Sequence, residues 1–284
     1  MPEPDLYRNR DFIPNFDAIM AETETRSREV AARNRMERDI PYGSGPRQNF
    51  DLVFPSRDVS DAPLHIFIHG GYWRAGSKDA HTLVAEPVLA VGGICALVGY
   101  GLMPSTRLGD IVAQVRAAAC HIAALAPQIG ADQKRITASG HSAGAHLASL
   151  LAAQAPGDTT PPLLPNIKAL LLVSGIYDLS GIPDSFLKDE ARMTPKEAAD
   201  WSPLQASHRP GPHRIITHGQ NETRPFHDQA KAFAALVNEQ GASQGTYRCE
   251  PARNHLDIVL DLADPTAPLG QTLADLVAGE ESHR

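Results

Sequence analysis

The chain has 284 residues, of which 42% are hydrophobic and 21% charged, with a formal net charge of −7. That is ample material for the core of one large α/β domain, and it lacks the basic footprint of a nucleic-acid-binding protein. The charges are interspersed along the chain, so small molecules are the expected partners rather than nucleic acid or a membrane. Cys95, Cys120 and Cys249 are odd in number, widely spaced and without a CxxC pair. They read as three buried thiols, not as a redox or zinc motif. The opening MPEPDLYRNRDF carries no apolar signal region, and no run approaches the roughly 20 continuous apolar residues of a membrane span. A cytoplasmic setting is the expectation, and the sequence leaves a homodimer open.

In chain order, residues 1–45 read as a polar helical arm or cover, and 46–284 as the main domain. Asp17 to Asp39 is helix-permissive and rich in Arg and Glu, suited to lying on a surface. Asn49–Phe54 alternates apolar and polar residues as an opening strand or hairpin. After Pro63 the pattern becomes short apolar runs separated by helical segments. Leu64–Ile68, Ile94–Val98, Arg135–Ala138, Ala169–Val173 and Arg214–Thr217 are strand candidates, and Gly245–Cys249 is strand-like. The helical candidates are Asp79–Ala90, Leu108–Ala126, Ala143–Gln154, Phe226–Gln240 and Leu256–Leu262. Such alternation predicts a mostly parallel central sheet with helices on both faces. Ala155–Asn166 is a Pro-rich connector, and residues 180–212 form a longer stretch without a clean period, suited to a helical excursion over the sheet edge.

Two motifs carry chemistry. Gly140-His141-Ser142-Ala143-Gly144 matches the GxSxG nucleophile elbow, with a strand candidate before it and a helix candidate after it. A sharp strand-to-helix turn strains the serine backbone and needs hydrogen-sized neighbours. The following helix start favours a developing negative charge. The alternative for the motif taken alone is Ser142 as a helix cap with ordinary turn glycines. His69-Gly70-Gly71-Tyr72 directly after the apolar strand LHIFI decides the matter. An HGG-type loop there offers backbone N–H groups to an oxyanion, so Gly70, Gly71 and Ala143 are the expected donors. Together the motifs predict the α/β-hydrolase fold with Ser142 as nucleophile.

A base and its orienting acid should follow in the order Ser, Asp or Glu, then His. His255 is preferred, in a loop after the Gly245–Cys249 run and before an apolar helix. His218 is the alternative, His227 sits in a predicted helix, and His283 belongs to the terminal tail. Glu222 is the only carboxylate in the loop 218–223 and is the expected acid, with Asp228 and Asp178 as alternatives. Tyr72 and Trp73, next to the oxyanion glycines, and Tyr177 are candidate substrate walls, although ordinary packing explains each as well. Twelve histidines invite a metal reading, but there is no HExxH and no His pair at helical spacing beside a carboxylate. No metal or cofactor is expected.

HIFIHGGYWRAGSKD (65–79), GHSAGAHLA (140–148), LLLVSGIYDL (170–179), ARMTPKEA (191–198) and GQNETRPFHDQAKAF (219–233) together resemble the kynurenine formamidase (arylformamidase) family, close to the hormone-sensitive-lipase branch of the α/β hydrolases. IPYGSGPRQNFDLVFP (40–55) and NHLDIV (254–259) extend the likeness from about Ile40 to Leu260. The resemblance implies a cofactor-free hydrolase of the formamide of N-formyl-L-kynurenine, and it independently favours His255 over His218. Glu222 stands where the family usually has Asp, a departure that bears on the acid's geometry and on the substrate. A carboxylesterase, or a hydrolase of another small amide or carbamate, uses the same machinery. A non-catalytic module on a hydrolase scaffold is the reading from another class.

Overall fold

The computed structural model describes residues 4–241 and 245–279, so His283 lies outside the described residues. The elements in chain order are α1 (Phe16–Arg33), β1 (Met36–Pro41), β2 (Asn49–Val53), β3 (Ala62–Ile68), a 3₁₀ turn (Asp79–Val84) running into α2 (Ala85–Ala90), and β4 (Ile94–Val98). There follow α3 (Leu108–Leu125), β5 (Ala131–His141), α4 (Ala143–Ser149), β6 (Ala169–Val173), α5 (Lys188–Ala191), α6 (Pro195–Trp201), β7 (His213–Gly219), α7 (Arg224–Glu239), β8 (Gly245–Glu250), α8 (Asp257–Leu262) and α9 (Pro268–Ala278). Eight strands form one sheet in the order β1-β2-β4-β3-β5-β6-β7-β8. Among the described residues of this sheet only β1–β2 and β2–β4 pair antiparallel. The other neighbours are parallel.

The uninterrupted apolar strands are explained by a sheet covered on both faces. Successive side chains of a strand point to opposite faces, and the two cores divide them accordingly. Ile66, Ile68, Ala96, Val98, Leu170 and Leu172 join the core under α3, α4 and α7. Phe67, Cys95, Leu97, Leu171 and Val173 join the one under α2, α8 and α9. α3 with its continuation to Ile129 is long and apolar enough by length and composition to cross a membrane. Here Ile111, Val112, Val115 and Ile122 are buried in the core of the fold.

Several expectations are corrected. The stretch 1–45 is not a separate arm, because β1 pairs with β2 as the outer strand of the main sheet. α1 is docked: Ser27 Oγ donates to Ala80 O at 2.9 Å, and Val30 is buried. The helix expected over Ala143–Gln154 ends at Ser149, and Ala153–Gln154 pairs antiparallel with Ser207–His208. The excursion therefore contains α5 and α6 and is stitched down by that two-stranded ribbon. Of the three cysteines only Cys95 is buried; Cys120 is partly exposed and Cys249 exposed. Cys249 lies on the edge strand β8, where one side of the chain meets solvent. α9, with proline in its first turn and left-handed Gly279 at its end, was not anticipated.

Candidate active site

Ser142 stands between β5 and α4 with φ 56° and ψ −121°, a backbone conformation that a side-chain-bearing residue adopts only under constraint. The constraint is close packing. A Cβ on Gly140 would lie 2.2 Å from Gly144 O, and one on Gly144 would lie 2.0 Å from Ile68 O. The elbow is thereby pressed against the end of β3. Gly144→Ala is expected to force α4 off the sheet and to cost about 3 kcal/mol, read as a shift of the urea midpoint.

β3 leads into the HGGY loop. A Cβ on Gly70 would lie 3.2 Å from Ser142 Cβ, so this backbone runs directly past the serine. Gly71, Tyr72 and Trp73 all have positive φ, 117°, 51° and 58°. Arg74 N and Ala75 N close the turn onto Gly71 O. Tyr100 OH donates to His69 O at 2.7 Å and its ring stacks on His69 at 4.3 Å. No hydrogen bond to a protein acceptor engages the N–H of Gly70, Gly71 or Ala143 among the described residues. The Gly70 backbone and Ala143, the residue after the nucleophile, thus flank the serine.

His255 is carried by the loop between β8 and α8. Asn254 and Asp257 clamp it from both sides: Asn254 N donates to Asp257 Oδ1 at 2.7 Å, and Leu256 N to Asn254 Oδ1 at 2.8 Å. Ser142 Oγ lies 3.0 Å from His255 Nε2, and His255 Nδ1 lies 2.8 Å from Glu222 Oε2. A carboxylate can only accept, so the proton belongs on Nδ1, and Nε2 is free to accept from the serine. Ser142 and His255 are 2% and 3% exposed, and the Glu222 side chain is fully buried. Burial alone would push the Glu222 carboxyl up. The neighbouring His255, the Ser174 hydroxyl and the Gly219 N–H outweigh it and hold the group below the ordinary carboxylate range.

The structure thus brings Ser142, His255 and Glu222 into one hydrogen-bonded line. The alternatives stand elsewhere. His218 is engaged by Gly219 O and Tyr247 OH. Asp228 pairs with Arg224 at 2.9 Å on the surface, and Asp178 caps the Ser180 N–H. His227 contacts the backbone oxygen of Glu222. Among the described residues no group of three or more His, Cys, Asp or Glu is arranged to hold a metal.

Two of the three aromatic walls are corrected. Trp73 is fully buried, and its Nε1–H donates to His146 Nδ1 at 3.1 Å, pinning the HGGY loop to α4. Tyr177 is fully buried and stacks on Phe233 at 4.3 Å. Core packing claims both. Tyr72 alone is partly exposed: its OH accepts from Asn9 Nδ2 at 2.7 Å and donates to Tyr7 O, and its ring meets Phe186 edge-on at 5.3 Å. Sequence reasoning missed His141, whose Nε2–H donates to His255 O at 2.8 Å. Burial, then the adjoining His255, holds His141 well below the ordinary histidine pKa. It also missed Phe226, with its ring 4.3 Å from that of His255, and Ser174.

A strained serine, an imidazole and a buried carboxylate on an eight-stranded sheet of this order define a serine hydrolase of the α/β-hydrolase class. The BD-FAE family model matches residues 50–236, and the chain belongs to that family. It is 29% identical over 245 residues to the kynurenine formamidase of Danio rerio, covering 84% of this chain and 81% of that protein. It is 27% identical over 237 residues to Esterase LipQ of Mycobacterium tuberculosis, covering 76% of this chain and 56% of that one. A crystal structure from Silicibacter sp. TM1040 superposes with a TM-score of 0.81 at 24% identity, covering 94% of this chain and 96% of that one. The chain is thus similar both to kynurenine formamidases and to esterases of the α/β-hydrolase fold.

Proposed function

We propose that the protein hydrolyses a small aryl formamide such as N-formyl-L-kynurenine by acyl transfer through Ser142. The observation that carries this reading is the unbroken line from Ser142 Oγ through His255 to Glu222, beside three unengaged backbone N–H groups. His255 takes the proton as Ser142 Oγ attacks the formyl carbonyl, while Glu222 stabilises the imidazolium. The N–H groups of Gly70, Gly71 and Ala143 hold the oxyanion. The imidazolium then protonates the departing arylamine, and water repeats the sequence on the formyl-serine to release formate. The formamide preference is supported by the likeness to kynurenine formamidases. Tyr72, which joins the HGGY loop to residues 7–9 and Phe186, is the proposed contact for an aryl leaving group, supported by its place next to Gly70 and Gly71 in the chain.

The second reading is a carboxylesterase on the same residues, favoured by the likeness to Esterase LipQ. Hydrolysis of N-formyl-L-kynurenine, run beside p-nitrophenyl acetate, separates the two. A formamide kcat/KM of about 10⁴–10⁸ M⁻¹s⁻¹ is expected. Ester cleavage with negligible formamide turnover would move the assignment to an esterase.

A further inference from the structure

The acid of the candidate triad is a glutamate, with one more rotatable bond to fix than an aspartate. Its two oxygens have different surroundings. Oε2 faces His255 Nδ1, whereas Oε1 accepts from Ser174 Oγ at 2.5 Å and from Gly219 N at 2.6 Å. Ser174 is the residue immediately after β6 and is fully buried. Its backbone has φ 53°, and its N–H donates to Thr217 O at 2.7 Å on the adjoining strand β7. The next residues brace that turn: Tyr177 N and Asp178 N donate to Gln229 Oε1 at 2.7 and 2.9 Å. A left-handed conformation is unfavourable for serine by about 1 kcal/mol and free for glycine. What serine adds at this position is therefore its hydroxyl, and that hydroxyl is spent on the Glu222 carboxylate.

We infer that Ser174 is a positioning residue for the triad acid, locking the Glu222 carboxylate so that Oε2 presents to His255. The inference rests on the reading of Ser142, His255 and Glu222 as a working triad, and not on the identity of the substrate. A short, charge-assisted bond of this kind is among the stronger hydrogen bonds in proteins. It anchors the acid from β6, whereas Gly219 anchors it from β7, so the carboxylate is held from two strands. Without the hydroxyl, Glu222 keeps its charge but gains freedom to rotate away from the imidazole.

The test uses Ser174→Gly, which suits the left-handed backbone and removes only the hydroxymethyl group. Ser174→Cys is the second variant and keeps the side-chain shape with a weak donor. Both are assayed with p-nitrophenyl acetate and by the rate of Ser142 labelling with a fluorophosphonate. The expected loss in kcat and in labelling rate is about 10- to 100-fold, with KM within twofold. In a Glu222→Gln background the same substitution should cost less than a further twofold, because the group it positions is already gone. A loss below tenfold in the parent, or an equal loss in both backgrounds, overturns the role of Ser174. If Ser142→Ala leaves ester cleavage intact, the triad reading fails and this role with it. If Ser142→Ala abolishes cleavage while Ser174→Gly is silent, the role of Ser174 alone falls.

Discussion

Ser142→Ala and His255→Ala are each expected to lower kcat by about 10⁴–10⁶ while leaving the fold intact. The two losses should not add. The hydroxyl and the imidazole act as one unit, 3.0 Å apart, so the double substitution should be little worse than either alone. Glu222→Ala is expected to cost less, though still a large factor, since the imidazole keeps Ser142 as a partner but loses the group that fixes its tautomer. The alanine at 142 removes one buried hydroxyl and leaves the elbow glycines in place, so thermal unfolding should be nearly unchanged. If Glu222→Ala were silent while Asp178→Ala or Asp228→Ala was not, the acid would have to be reassigned.

A second large effect is expected from pH. Among the histidines that burial holds low, His81, His141 and His218 included, four are His65 and His69 at about 3 and His146 and His208 at about 4. In the unfolded chain each titrates near the ordinary value of about 6.5. As the pH falls through that value, the unfolded chain takes up protons that the native state cannot. Stability is therefore lost on the acid side of about 6.5 and goes on falling towards the native values. Each group costs about 1.4 kcal/mol per pH unit in that window, so the four together approach about 5 kcal/mol by pH 5.5. This compares with a typical total of about 5–15 kcal/mol, and Tm should fall by about 10–20 °C between pH 7.5 and 5.5. The Glu222 carboxyl, held below its ordinary range, contributes stability that is lost only at lower pH, below the usual carboxylate value. A flat Tm across that interval would mean the buried imidazoles carry partners that stabilise their charged forms.

The parts of the fold legible in the sequence are those whose residues report a local fact. Ile94–Val98 and Ala169–Val173 are buried on both faces and apolar throughout, and the strands found there have the same bounds. β1 escaped because MERDIP lies at the sheet edge and faces solvent over most of its length, so neither apolar continuity nor clean alternation marks it. Ser142, His255 and Glu222 were readable because each sits in a motif or a loop whose place in the chain is constrained. Ser174 and His141 were not: their roles exist only as contacts, 48 residues away to Glu222 and 114 to His255. The sequence leaves Trp73 and Tyr177 between substrate wall and core, because an aromatic beside a site and an aromatic in a core look alike until packing is known.

The first described residues have a consequence for the order in which the molecule is built. Leu6 O accepts from Thr223 Oγ1, 217 positions later, and Tyr7 OH accepts from Gln229 Nε2, 222 positions later. Asp5 also caps the N–H of Phe186. The docking of residues 5–9, begun on Tyr72 and Phe186, is therefore completed only when the α7 region, more than 200 positions later, has folded. Until α7 is in place, the rim of the site beside Tyr72 lacks the two bonds, from Thr223 and Gln229, that fasten residues 6 and 7 to the far side of the fold.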